Sequence, residues 1–311
     1  MSAQIEATAP TVESTYKARD AEGILDVHVY RPIGFQLAQF FARLNVTPTG
    51  VSLLGGVFGV TAGHLYYYSS LPINLIGMLL HVFANTLDNA DGQLARLTNQ
   101  ATRNGRIIDS VVDHFVFLSI YVHLALRYFF AGAPATVGLL ALAAALSHGL
   151  QSAGADYYRN AYLYFTAKRS RSNFDSSADL QASYRALSWR DDALSKVLLA
   201  LYLNYTRQQE FLSRRLKQLR HLAAQLFSNE IPASFQTEYQ TRGRTAFRWW
   251  SVLMTNSRMF VLFVSLLIGQ PIWYFWVELV PFNLLLLWLL SRQERMAGSL
   301  IGTLNVEAGS A

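Results

Sequence analysis

The sequence contains no cysteine, which excludes disulfides, thiolate zinc sites and cysteine nucleophiles. Charge is also scarce: Asp, Glu, Lys and Arg make up 15% of 311 residues, against about 25% in ordinary soluble domains. The scarcity is concentrated. None of the four occurs in the 44 positions between Arg43 and Asp88, the 28 between Arg127 and Asp156, or the 19 between Arg258 and Glu278. A soluble domain cannot solvate such stretches, so a cytosolic globular enzyme is excluded. Lysine is nearly missing, with 4 against 22 arginines, a bias that together with high alanine points to a GC-rich bacterial genome. The first 20 residues are polar and contain acids, unlike a secretory signal or a transit peptide.

Hydrophobic residues reach 52%. A bilayer core needs about 20 mostly apolar residues per helix. Six segments qualify, at roughly 49–68, 73–94, 106–127, 134–155, 250–269 and 272–291. Alternate links between them are basic, with Arg31 and Arg43 before the first and Arg96, Arg103 and Arg106 between the second and third. The positive-inside rule then puts both termini on the cytoplasmic side, with Arg127 as a mild exception. The expected fold class is all-α, a six-transmembrane-helix bundle. Ahead of it, Ile33, Leu37, Phe40, Phe41 and Leu44 form one stripe of an N-terminal amphipathic helix, lying either in the membrane interface or on protein.

The net charge of +6 is not spread evenly. Residues 155–248 hold 15 of the 26 Lys and Arg and 8 of the 20 Asp and Glu, so they carry +7 and the remainder carries −1. A local basic bias of this kind fits positive-inside topology and anionic headgroups rather than nucleic acid. Four parts are expected: a polar N-terminal tail (1–30), the interfacial helix with spans one to four (31–155), a basic cytoplasmic helical insert (156–248), and spans five and six with a short tail (249–311). Within the insert, Arg169 to Ser183 reads as a mobile link. The stripe Leu212, Leu216, Leu219, Ala223 and Leu226 reads as a coiled-coil seam, a membrane-surface helix or a cap over the core.

Four carboxylates break the rule that hydrocarbon excludes charge. Asp88 and Asp91 are three apart, Asp109 and Asp113 four apart, so each pair shares one helix face. Crowded together they repel unless a cation lies between them. All-oxygen donors favour Mg²⁺, Mn²⁺ or Ca²⁺ over zinc, and four suffice for two ions clamping a pyrophosphate. Gly92, Ala95 and Gly105 remove bulk where a ligand approaches the backbone, and Arg96 could meet a phosphate or snorkel. Arg159 and Arg258 are candidates for an acceptor or lipid phosphate, with snorkelling as the plainer reading. Glu278 reads as an outer-facing interfacial carboxylate. Trp249, Trp250, Trp273 and Trp276 read as interface belts, and Gly55 with Gly59 as a packing or homodimer face.

The pattern Asp88-x-x-Asp91-Gly92-x-x-Ala95-Arg96, then eight residues, then Gly105-x-x-x-Asp109-x-x-x-Asp113, resembles the signature of the CDP-alcohol phosphotransferase (CDP-alcohol phosphatidyltransferase) family at all eight fixed positions. Arg31-Pro32 and Pro48-x-x-Val51-Ser52 are family-like too, whereas the 156–248 insert departs from compact members. The resemblance implies an integral membrane enzyme of phospholipid synthesis using two divalent cations, Mg²⁺ or Mn²⁺. Asp88, Asp91, Asp109 and Asp113 would be the metal ligands, with Asp113 also the catalytic base. Gly92, Ala95, Arg96 and Gly105 would bind the nucleotide. The partners implied are a CDP-linked lipid or alcohol donor, foremost CDP-diacylglycerol, a polar alcohol acceptor (inositol, inositol phosphate, glycerol 3-phosphate or serine) and membrane lipids. Transfer of CDP-choline or CDP-ethanolamine type onto a lipid hydroxyl is the alternative, and a cation-coupled transporter the competing class. The expected site is a bacterial inner membrane, with the active site facing the cytoplasm.

Overall fold

The computed structural model describes Val12, Gly23 and residues 25–166, 174–227 and 230–309. Among them there is no strand. A single π-helical turn, Asp26–Tyr30, runs directly into α1 (Arg31–Arg43). There follow α2 (Pro48–Leu65), α3 (Leu71–Leu97), α4 (Arg103–Phe130) and α5 (Thr136–Thr166). The polar segment forms α6 (Ser177–Ala186), α7 (Ala193–Leu212), α8 (Arg214–Leu226) and α9 (Ala233–Trp250). The chain ends with α10 (Thr255–Leu267), α11 (Ile272–Leu279) and α12 (Pro281–Gly309).

Four described helical segments are long and apolar enough to cross a membrane: Leu71–Leu97, Arg103–Phe130, Thr136–Thr166 and Ile272–Val306. A fifth is reached if α9 and α10, bent by 40° at Met254, count as one broken span. The segment expected at 49–68 is an 18-residue helix that is not among them. The fifth expected span keeps only 13 helical residues, in α10, after a 3₁₀ turn at Ser251–Leu253. The sixth lies within Ile272–Val306 and is interrupted at Val280, before a proline that lacks its N–H.

α2 is threaded between α3 and α4 by its glycines. A Cβ on Gly55 would meet Leu87 Cβ of α3 at 3.3 Å, and Cβ atoms on Gly56 and Gly59 would lie 2.5 Å from Val112 and Val116 of α4. Gly63 is tightest against backbone, where a Cβ would stand 2.9 Å from the Ile120 amide nitrogen. The small-residue face therefore serves packing inside the bundle. Gly63→Ala is expected to lower stability by about 1–3 kcal/mol, because a backbone cannot swing aside as a flexible side chain can; thermal unfolding in detergent checks this. At the far end of α2, Arg127 donates to Tyr66 O (3.3 Å) and Asn74 Oδ1 (3.0 Å). The arginine that breaks the charge pattern is thus a cation at a helix C-terminus.

Several local readings change. The second half of the link expected from Arg169 to Ser183 is helical, within Ser177–Ala186, with Ser176 capping the Ala178 amide; 167–173 lie outside the described residues. α5 continues eleven residues past the expected boundary at 155. The leucine stripe is split at Ser213: Leu216, Leu219 and Ala223 of α8 are buried in one cluster with Ala297, Leu300 and Leu304 of α12, which makes it a cap over the core. Trp250 is no belt residue, being fully buried and stacked on Tyr158 at 4.7 Å, while Trp249, Trp273 and Trp276 are exposed. α1 packs on α3 through Gly34 and Ala38 and leaves Ile33, Phe40 and Leu44 uncovered.

Glu278 is not outer-facing. It is completely buried and pairs with Arg258 of α10, itself 2% exposed. Arg258 also donates to Gln151 Oε1 (2.9 Å) and Leu253 O, and Gln151 in turn donates to Glu278 O (2.8 Å) and Asn283 Oδ1 (2.8 Å). α5 thereby supplies a donor to a carbonyl at the α11–α12 break, where proline leaves the helix ladder incomplete. A second pair holds the polar segment together, with Lys217 Nζ 2.6 Å from Glu210 and Ser177 donating to Glu210 from both backbone and hydroxyl. Burial alone would raise the Glu210 carboxyl, but Lys217 and Ser177 outweigh it and hold the group below its ordinary value. With a folded pKa below the unfolded one, this stabilisation is present above the unfolded value and is lost as pH falls through the folded one. The wild-type unfolding temperature should therefore drop on acidification below about pH 4.5, and Glu210→Gln should flatten that drop.

Candidate active site

Asp88 and Asp91 project from the last third of α3, and Asp109 from the second turn of α4. A carboxylate oxygen from each lies within 4.8 Å of the others. Helix spacing puts the first two on one face, and the five-residue link Thr98–Thr102 turns α4 back against it. Asn99, at φ 53°, takes the left-handed conformation this turn needs, and Thr102 caps α4 by accepting from the Gly105 amide (3.0 Å). Asp113, one turn beyond Asp109, is outside the three-carboxylate group but lines the same narrow cavity of about 40 Å³, with Asp88, Asp109, His81, Asn85 and Thr255.

Three carboxylates this close repel one another, and a hard divalent cation is the simplest balance for an all-oxygen donor set. The residues present therefore fit a hard divalent cation, which the carboxylates of Asp88, Asp91 and Asp109 would hold.

Of the residues expected at the nucleotide, Gly92, Ala95 and Arg96 share one face of α3, at spacings of three and four. The Arg96 guanidinium lies over Gly92, where a Cβ would sit 3.5 Å from it. Ala95 is half-buried one turn from Asp91, and Gly105 stands in the first turn of α4. Arg159 is half-buried on α5, near Asp156, whose carboxylate accepts from Asn160 (3.0 Å) and Gln209 (3.1 Å). Arg258 does not reach this site as a free cation, because its guanidinium is committed to Glu278, Gln151 and Leu253.

Two contributions escaped the sequence reading. Ser52 of α2 donates a hydrogen bond to Asp91 Oδ2 while also bonding Pro48 O (3.2 Å). Its place in Pro48-x-x-Val51-Ser52 was visible, but not its aim at the aspartate. The second is a chain running from Asp26 through Asn256 of α10 (3.0 Å) to Asn85 (3.5 Å), one turn before Asp88. These residues come from three remote parts of the sequence, and no local signal links them. His81, by contrast, is explained by packing, since it bonds Tyr66 Oη at 3.3 Å.

Residues 45–161, which carry the three gathered aspartates, match the CDP-alcohol phosphatidyltransferase family. The match covers that segment of a chain that has several apolar, membrane-length helices. Three relatives match over part of their length. An uncharacterized protein of Aquifex aeolicus is 33% identical over 114 residues, 37% of this chain and 57% of its own. A bifunctional IPC transferase and DIPP synthase of Archaeoglobus fulgidus is 27% identical over 121 residues, 39% of this chain and 23% of its own. An archaetidylinositol phosphate synthase of Pyrococcus horikoshii is 31% identical over 91 residues, 29% of this chain and 47% of its own. The matches thus span between about a quarter and just over half of these proteins.

Proposed function

We propose that the protein transfers a substituted phosphate group from CDP-diacylglycerol to the hydroxyl of a polar alcohol, releasing CMP, in phospholipid synthesis. The observation that carries this is the gathering of Asp88, Asp91 and Asp109 from two helices of the matched domain. The acceptor oxygen bonds to the donor's β-phosphorus as the bond to the CMP phosphate oxygen breaks, and CMP leaves as the anion. Bound divalent cations, two by the family resemblance, would neutralise the diphosphate and the leaving phosphate. Gly92, Ala95 and Gly105 leave room for the cytidine, and Arg96 meets its phosphates. Asp113, beside the cluster and not in it, takes the hydroxyl proton.

Among the acceptors, the Pyrococcus relative, an archaetidylinositol phosphate synthase, favours inositol phosphate ahead of inositol, glycerol 3-phosphate and serine. The active site and both termini face the cytoplasm of a bacterial inner membrane, with α1 in the interface and residues 156–248 as the basic insert. The test is CMP release from CDP-diacylglycerol in detergent with Mg²⁺ or Mn²⁺ and this acceptor panel. Release with CDP-choline and a lipid hydroxyl instead would reverse donor and acceptor. Ion flux in liposomes without any CMP release would favour a cation-coupled carrier, although a carrier's aspartates belong nearer mid-helix than this cluster.

Ser52 is expected to steady Asp91. Ser52→Ala should lower CMP release about 10–100-fold and raise the Mg²⁺ concentration for half-maximal rate, as loss of an outer partner of a metal ligand does. An unchanged Mg²⁺ requirement would remove Ser52 from the site.

A further inference from the structure

A second cavity lies away from the aspartates, between the end of α7, the outer face of α8 and the end of α12. It is an open cleft of about 890 Å³, within the size range of small-molecule sites. α8 creates it by having two faces: Leu216, Leu219 and Ala223 are buried against α12, while Arg214, Lys217, Gln218 and His221, at helical spacing, turn toward the cleft. Arg207 of α7 completes the cationic rim, and Leu222 with Ile301 gives an apolar floor.

Charge decides what the cleft can hold. Among the described residues Glu210 is the one carboxylate lining it, and Lys217 pairs with it while Ser177 donates to it. Arg207 donates to a neutral amide, Gln181 Oε1, at 2.5 Å, and pairs with no carboxylate among the described residues. Arg214 lies over the exposed Phe211 ring at 5.2 Å, an arrangement that holds a guanidinium flat without cancelling its charge. Two planar guanidiniums beside amide donors suit the oxygens of a phosphate better than a single carboxylate. Ile301 lies roughly 14 Å along α12 beyond Arg292, the first charge after the apolar run, which puts the cleft on the water side of the helix end.

We propose that this cleft binds a phosphate-bearing anion at a site separate from the aspartate cluster, with Arg207 and Arg214 as its principal ligands. The phosphate belongs either to a soluble phosphate ester or to an anionic lipid headgroup, and the test separates the two. Full-length protein in phosphatidylcholine nanodiscs, with chelator present so that the bare aspartates repel anions, is titrated calorimetrically with glycerol 3-phosphate. In a second arm, thermal unfolding is compared between nanodiscs of phosphatidylcholine alone and nanodiscs containing phosphatidic acid.

Saturable glycerol 3-phosphate binding, weakened at least tenfold in Arg207→Gln/Arg214→Gln, supports the proposal with a soluble ligand. A phosphatidic acid-dependent rise in unfolding temperature that the double variant loses supports it with a lipid ligand. Neither response, or the same response in wild type and variant, overturns it. Both side chains are exposed, so the variant should keep its unfolding temperature in phosphatidylcholine and its CMP release. Arg214→Gln alone, with about a threefold loss, provides a second variant should the double one fold poorly.

Discussion

Asp91→Asn is expected to reduce CMP release by about 10²–10³-fold or more, the scale seen when one preorganised electrostatic partner of a transition state is lost. Asp91 is the most enclosed of the three gathered carboxylates, at 5% exposure, and Ser52 holds one of its oxygens. Asparagine keeps the shape and one carbonyl oxygen but removes the negative charge a divalent ion needs. The substitution also relieves repulsion among Asp88, Asp91 and Asp109, so the metal-free variant should unfold at the same or a higher temperature than wild type. Lost activity with retained stability is the outcome that separates a metal ligand from a structural acid. Full activity of Asp91→Asn in the CMP-release assay would sink the metal-site assignment. Loss of activity with a fall in stability would instead make Asp91 a structural partner of Ser52.

Arg258→Ala should be the most destabilising single change, by roughly 3–5 kcal/mol, because it strands Glu278 as an unpaired buried charge. Both partners are essentially inaccessible, at 2% and 0% exposure, and the pair ties α10 to α11 while Gln151 ties both to α5. Removing one end leaves a buried carboxylate with the His148 ring, 4.0 Å away, in place of a guanidinium. Replacing both, as Arg258→Met with Glu278→Leu, should recover most of the loss, since a well-packed apolar pair avoids desolvation altogether. Thermal unfolding in detergent, followed through the buried Trp250 stacked on Tyr158, reads both variants. Additive destabilisation by the two changes would show that the pair is not coupled. This pair lies apart from the aspartate cavity, so Arg258→Ala at a temperature where it stays folded should lose far less CMP release than Asp91→Asn.

Much of this was legible in the sequence, for reasons that are local. The charge-free runs read as apolar helices, because continuous apolar stretches of about 20 residues match a helical span and lack the alternation of barrel strands. The spacings Asp88–Asp91 and Asp109–Asp113 fixed shared helix faces through the 3.6-residue repeat, and the short Thr98–Thr102 link left the two faces little choice but to meet. Pro281 marked a helix break from its missing amide alone.

What only the tertiary structure decided are the pairings between distant segments. Asp88, Asp91 and Asp109 converge within 4.8 Å whereas Asp113 stays outside their group, a distinction that spacing cannot make because it depends on how α3 and α4 cross. Glu278 and Arg258 each looked like a surface charge, since a sequence shows the cost of burying one charge but not the partner that offsets it. The glycines of α2 could have faced a second copy; their fit against Val112, Val116 and Ile120 assigns them inward. The basic bias of the polar segment was evident from composition, but its division into an apolar cap on α12 and a cationic wall on an open cleft required the orientation of α8. Periodicity fixes which residues share a face, and only packing fixes what that face meets.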